Sequence, residues 1–136
     1  MRYWLGSLFL LVATNAMAAQ LTIEPGLWQT TLASKDPFSG KVHREVSKYC
    51  VKEPVLKLTE LVTKFKDCQA VSEKMVGETL HAVMLCDMQG VSTEISGQFR
   101  SFGNRGEGDI TMQMRLGGMA MALQSSLQAE RIGECQ

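Results

Sequence analysis

Four methionines occur in two Met-x-Met pairs, Met112-Gln113-Met114 and Met119-Ala120-Met121, on either side of Gly117-Gly118. Thioethers are soft ligands, and a cluster of them in an oxidising compartment can select Cu(I). One chemical expectation is therefore a Cu(I)-handling site made by Met112, Met114, Met119 and Met121. A plainer use competes with it, because methionine is unbranched and fills irregular gaps in an apolar core. A third lies between them: the flexible thioethers, with Ile95 and Phe99, line the face that receives a small apolar ligand.

The remaining polar chemistry is sparse. His43 and His81 are the only histidines. A His-based nucleophilic site needs a paired Ser or Cys and a positioned acid, and no G-x-S-x-G occurs. Glu94, Glu107 and Asp109 are carboxylates of the type glycosidases use, but Trp28 is the only tryptophan beyond the leader, so the aromatic platform of a sugar site is missing. The run Gly103 to Gly108 joins two strands instead of opening a helix, which makes it a hairpin loop and not a phosphate cradle. No catalytic residue and no cofactor is assigned, and a non-enzymatic chain that acts by binding is expected.

The elements that position these residues follow from periodicity. Two adjacent glycines between alternating runs signal a tight hairpin, since the favoured turns need positive φ at their centre. A fold at Gly117-Gly118 sets Leu116 opposite Met119, Met114 opposite Met121 and Met112 opposite Leu123. Ile110, Met112, Met114 and Leu116 then share a face with Met119, Met121, Leu123 and Leu127, while Thr111, Gln113, Arg115, Gln124 and Gln128 point away. A fold through Gly103 to Gly106 pairs Phe99 with Ile110 and Gly97 with Met112. Upstream, Leu27 to Leu32 and Lys41 to Cys50 alternate as strands, with Trp28, Thr30 and Leu32 on one side of the first. In the second, Val42, Val46 and Cys50 oppose His43, Glu45, Ser47 and Tyr49. Pro54 stands where a first helical residue belongs, and Leu58, Leu61, Val62 and Phe65 recur at helical spacing, so a short amphipathic helix is predicted from Glu53 to about Lys66. Turns at Val76-Gly77-Glu78 and Gln89-Gly90 complete a mainly β, antiparallel up-and-down meander of about seven strands, curved or partly closed as a barrel, or a sandwich.

The leader and the cysteines define the compartment. Arg2, the apolar run Leu5 to Ala13 and the small residues of Ala16-Met17-Ala18 read as a cleavable signal peptide over residues 1–18, leaving 19–136 as one exported domain. No later stretch is long and apolar enough for a membrane-spanning helix. The 14 basic residues balance the 14 acidic ones, and losing Arg2 leaves a net charge near −1 with signs interspersed, which excludes a nucleic-acid surface or a polybasic membrane patch. Cys50, Cys68, Cys86 and Cys135 all lie beyond the cut, and an even count in a small exported domain reads as two disulfides. None are spaced as C-x-x-C, so neither zinc binding nor thiol exchange is indicated. Cys68 and Cys86 are equidistant from Gly77 and would meet across a hairpin, which leaves Cys50 for Cys135. The rival pairing is Cys50 with Cys68 across the helix and Cys86 with Cys135.

Several of these features together are familiar. Glu24-Pro25-Gly26-Leu27-Trp28 near the start, Cys50 followed by Pro54, the widely spaced Cys68 and Cys86, Gly97 in a strand, and Arg131-Ile132-Gly133-Glu134-Cys135 resemble domain of unknown function family 3617. These are small exported proteins of Gram-negative bacteria. The likeness spans the chain beyond the leader, with Gln29 in place of an acidic residue and Lys52-Glu53 where a threonine usually precedes the proline. It implies export, hence the periplasm, with disulfides and a β-rich domain, and assigns no activity. The expected function is binding of a small apolar ligand or of a protein partner in the cell envelope, with Cu(I) handling as the alternative.

Overall fold

The structure is a computed structural model that describes residues 19–57 and 67–136. The predicted signal peptide over residues 1–18 and most of the predicted helix, 58–66, lie outside the described residues. The strands are β1 (Gln20–Thr22), β2 (Gly26–Lys35), β3 (Val42–Val51), β4 (Val55–Lys57), β5 (Cys68–Val76), β6 (Thr79–Met88), β7 (Val91–Ser101), β8 (Arg105–Leu116) and β9 (Met119–Gly133). Seven of them form one antiparallel sheet in the order β3-β2-β9-β8-β7-β6-β5, and β1 pairs with β4 in a separate ribbon.

From β5 to β9 each strand pairs with the next, as short connections dictate. The β2–β3 hairpin then joins the free side of β9, so an early and a late strand lie side by side. The sheet is open, which corrects the partly closed barrel. Its two edges do not continue one seam: β3 brings His43, Glu45 and Ser47 to the inner side, and β5 is interrupted by a bulge between Ala70 and Ser72.

Turn chemistry sets the register. Gln89 and Gly90 have φ of 53° and 81°, and Gly117 and Gly118 have 54° and 88°, as two-residue turns with both central residues left-handed require. Met119 accordingly faces Leu116, Met121 faces Met114 and Leu123 faces Met112. The β7–β8 hairpin pairs two residues away from the predicted register: Phe99 faces Gly108, Gly97 faces Ile110 and Ile95 faces Met112. The reason is the Phe99 ring, which lies across the neighbouring glycines. A Cβ at Gly108 or Gly97 would come within 2.6 Å of a Phe99 ring carbon. An aromatic ring shielding two glycines on adjacent strands needs one of them directly opposite, and that fixes the pairing.

The predicted helix also needs correction at its start. Val55–Lys57 is strand β4, with Leu56 opposite Leu21, and Ile23 N–H donates to the Pro54 carbonyl at 2.9 Å. Leu21 is buried against Leu80 and Ala82, with Leu56, Met84 and Phe99 around them. Closing the apolar side of β6 and β7 therefore outweighs the local helical spacing, which is a weak preference over so few residues.

Candidate functional site: a methionine face and a polar clasp

Residues opposite one another in an antiparallel pair share a face, so the registers define rows that run across the inner side of the sheet. One row is Ala70, Met84, Ile95, Met112 and Leu123; the next is Cys68, Cys86, Thr93, Met114 and Met121. A third, running the other way from Leu80, holds Phe99, Gly108, Leu127 and Leu32. The inner side is thus mostly apolar from β6 to β9, interrupted by Thr93 and, toward β2, by Ser125.

Its depth changes along the rows. Leu80, Ala82 and Cys86 are buried and Thr93 is wholly inaccessible, whereas Ile95, Met112, Met114, Met121 and Leu123 are only partly buried. Met119 is 66% exposed beside the half-exposed Leu116. The core cluster around Leu21 extends to Met84 and Phe99 and stops short of the methionines of β8 and β9. Of the candidate ligand residues, then, Ile95 and Phe99 are brought to the same face as Met112, Met114 and Met121, and Met119 stands at its rim. Only Met114 and Met121 oppose each other directly; Met112 faces Leu123 and Met119 faces Leu116.

The polar candidates do not converge. His43 is exposed on the inner side of β3, while His81 lies on the outer side of β6 between Lys74 and Gln98. Glu94 faces Leu85 and Gln113, Asp109 faces Gln98 and Ser126, and Glu107 lies 4.0 Å from Arg100 with both side chains more than half exposed. Gly106 and Gly108 are strand residues of β8, and Gly103 alone takes the left-handed turn, with φ of 85°. Among the described residues no three His, Cys, Asp or Glu side chains group as metal ligands do.

Two features escape the sequence reading. Thr93 carries a buried hydroxyl with no hydrogen-bond partner among the described residues, set between Cys86 and Met114. Alternation with Val91 and Ile95 was the signal that could have placed it inside. Further along the same face, polar groups pair instead: Thr30 Oγ1 lies 2.9 Å from Ser47 Oγ, and Ser34 Oγ lies 2.9 Å from Ser125 Oγ.

At that polar end the first and last segments interlock. Trp28, 3% exposed, donates from its indole Nε1 to the Glu24 carbonyl at 2.7 Å. Arg131 donates from Nε to the Pro25 carbonyl at 2.8 Å and from a terminal nitrogen to Glu134 at 2.7 Å, while its backbone N–H donates to Asn104. Gly26 lets the guanidinium approach: its φ is 147°, and a Cβ there would lie 2.4 Å from Arg131 Nε. A side chain at this position would displace the arginine and strain the backbone. Cys50 is bridged to Cys135 beside this clasp, and Cys68 is bridged to Cys86 at the opposite end of the sheet, with Cα separations of 5.6 Å and 4.0 Å.

The residues of Glu24-Pro25-Gly26-Leu27-Trp28 and Arg131-Ile132-Gly133-Glu134-Cys135 are therefore parts of one structural joint. No curated protein and no solved structure matches the chain. A family described as "Protein of unknown function (DUF3617)" matches residues 23–135, which is nearly the whole described sheet and both halves of the clasp, and the chain belongs to this family.

Proposed function

We propose that this is an exported, non-enzymatic periplasmic protein whose methionine face binds a small apolar ligand. The observation that carries the reading is the gradient along the inner rows, sealed at Leu80 and Thr93 but only partly buried at Ile95, Met112, Met114 and Met121. Apolar area left partly open gains about 25 cal/mol for each Å² that a ligand covers. Thioethers adapt their shape to whatever lies against them at little cost, which suits a ligand of variable outline. Two disulfides agree with an oxidising compartment.

Native mass spectrometry of protein recovered from its own periplasm is expected to show a heavier species alongside the bare chain. The Met114→Ala, Met121→Ala double variant, still folded, is expected to lose most of that species. A bare mass in every preparation overturns the proposal. Cu(I) handling is the weaker reading, since the hairpin sets one methionine pair face to face instead of two. A Cu(I) titration of the same two proteins separates the readings: tight binding that the double variant abolishes would replace the apolar ligand by the metal.

A further inference from the structure

The outer edge of β3 differs from every other strand border in the sheet. Asp36 N–H donates to the Lys41 carbonyl at 2.8 Å, so positions 36 and 41 form a hydrogen-bonded pair. In an antiparallel ladder alternate residues aim both backbone groups at the same neighbour. His43, Glu45, Ser47 and Tyr49 therefore bond to β2, and Val42, Arg44, Val46 and Lys48 direct their N–H and C=O groups outward. Among the described residues nothing pairs with them. The pairing of β3 with β2 runs from Val42 to Val51 without a register shift, the strand contains no proline, and every residue from Val42 to Cys50 is exposed. The other border, β5, has the bulge that commonly spoils an edge for pairing.

The side chains of the outward-bonding residues alternate apolar and basic, Val42, Arg44, Val46, Lys48, all on the outer face, with Val42 49% and Val46 58% exposed. Lys41 precedes them and Lys52 follows. A second copy paired about Val46 would set Arg44 of one chain against Lys48 of the other, and like charges directly opposite are destabilising. The same charges favour a strand that carries carboxylates.

We infer that this edge is a second binding site, which takes up an extended acidic segment of another protein as an eighth strand of the sheet. The ladder of free donors and acceptors gives affinity independent of sequence, and the side-chain pattern gives selection. The occupant has β-branched residues opposite Val42 and Val46 and Asp or Glu opposite Arg44 and Lys48. Positive edge charges thus keep copies of the chain apart while attracting their partner.

The test uses two short synthetic peptides, one alternating threonine with valine and glutamate (Thr-Val-Thr-Glu-Thr-Val-Thr-Glu-Thr) and one with lysine in place of each glutamate. Amide hydrogen exchange on the intact, oxidised chain is expected to slow by about tenfold or more at Arg44, Val46 and Lys48 when the glutamate peptide is added, and to stay unchanged at Glu45, Ser47 and Tyr49, which already bond to β2. The lysine peptide is expected to leave all six unchanged. Val46→Pro removes an outward donor where a strand edge tolerates proline, and should abolish the effect. Should that variant unfold, Arg44→Glu with Lys48→Glu serves instead and should reverse the preference between the peptides. The proposal is overturned if saturating glutamate peptide protects none of these amides, if both peptides act equally, or if protection rises with protein concentration alone, which would make the edge an interface between copies.

Discussion

The two ends of the sheet are stabilised by different forces. Around Gly26, Trp28 and Arg131 nearly every contact is directional, a named donor on a named carbonyl, and the buried threonine there, Thr30, has a partner in Ser47. Around Leu80, Ile95 and Met114 contacts are apolar and interchangeable, and the buried threonine, Thr93, has none. Directional contacts specify one geometry, whereas thioethers and aliphatic chains accept several. Of the residues that carry the family likeness, Glu24 to Trp28 and Arg131 to Cys135 lie at the specified end, while Cys68, Cys86 and Gly97 lie at the other, so the likeness spans both kinds of contact.

The largest expected effect comes from opening each disulfide. Cys50–Cys135 closes a separation of 85 residues and Cys68–Cys86 one of 18, and the chain-entropy picture gives about 4.5 and about 3 kcal/mol respectively. Urea unfolding of the Cys50→Ala, Cys135→Ala variant should therefore show the greater loss, and equal losses would erase the distinction between the ends. A smaller effect of opposite signs should follow from the two threonines. Thr30→Val removes the hydrogen bond to the Ser47 hydroxyl and should cost about 1 kcal/mol, while Thr93→Val removes an unsatisfied hydroxyl and should leave stability unchanged or raise it by about 1 kcal/mol. Chemical denaturation of both variants checks this, and a loss at Thr93 as large as at Thr30 would show a partner for its hydroxyl.

The smallest effect lies outside both regions, at the β2–β3 turn. Asp36 accepts from the backbone N–H groups of Phe38 at 2.8 Å and Ser39 at 3.3 Å, and these hold its carboxyl below the ordinary aspartate value. A lowered folded value means the contribution is present above the ordinary aspartate pKa and is lost as pH falls through the folded one. The group is fully exposed, so the fold as a whole should respond little. The Phe38 amide resonance should titrate with Asp36 in acid, and Asp36→Asn should remove that titration without changing the transition midpoint measurably.

Much of this was legible in the sequence, for reasons that show where legibility stops. Paired glycines at 117 and 118 admit one tight turn, so the opposition of Met114 and Met121 follows from local chemistry. The loop after Phe99 offers Gly103, Asn104, Gly106 and Gly108, and nothing local says which glycines turn and which lie flat beneath a ring. Cys68 and Cys86 meet only because of the bulge beside Val71: from Val76 to Ser72 the pairing would set Cys68 opposite Asp87, and the extra residue shifts it by one. Val55 and Leu56 fit a helix until Leu21 supplies a strand to pair with. That β2 lies beside β9 was not legible, because alternation states which side of a strand is buried and not which strand it will meet.

That last adjacency has a consequence for how the molecule assembles. The hairpins from β5 to β9 join sequence neighbours and can zip together as soon as each is available, as can β2 with β3, but the β2–β3 hairpin can dock only when β9 and Cys135 have arrived. Until then the β9-facing edge of β2 is uncovered, and a chain made from its N-terminus presents the Gly26–Trp28 segment early and its partner last. The bond from Cys50 to Cys135 locks a circuit that cannot be completed from a truncated chain, so any product cut short of Cys135 keeps one unpaired thiol as a visible mark of failure.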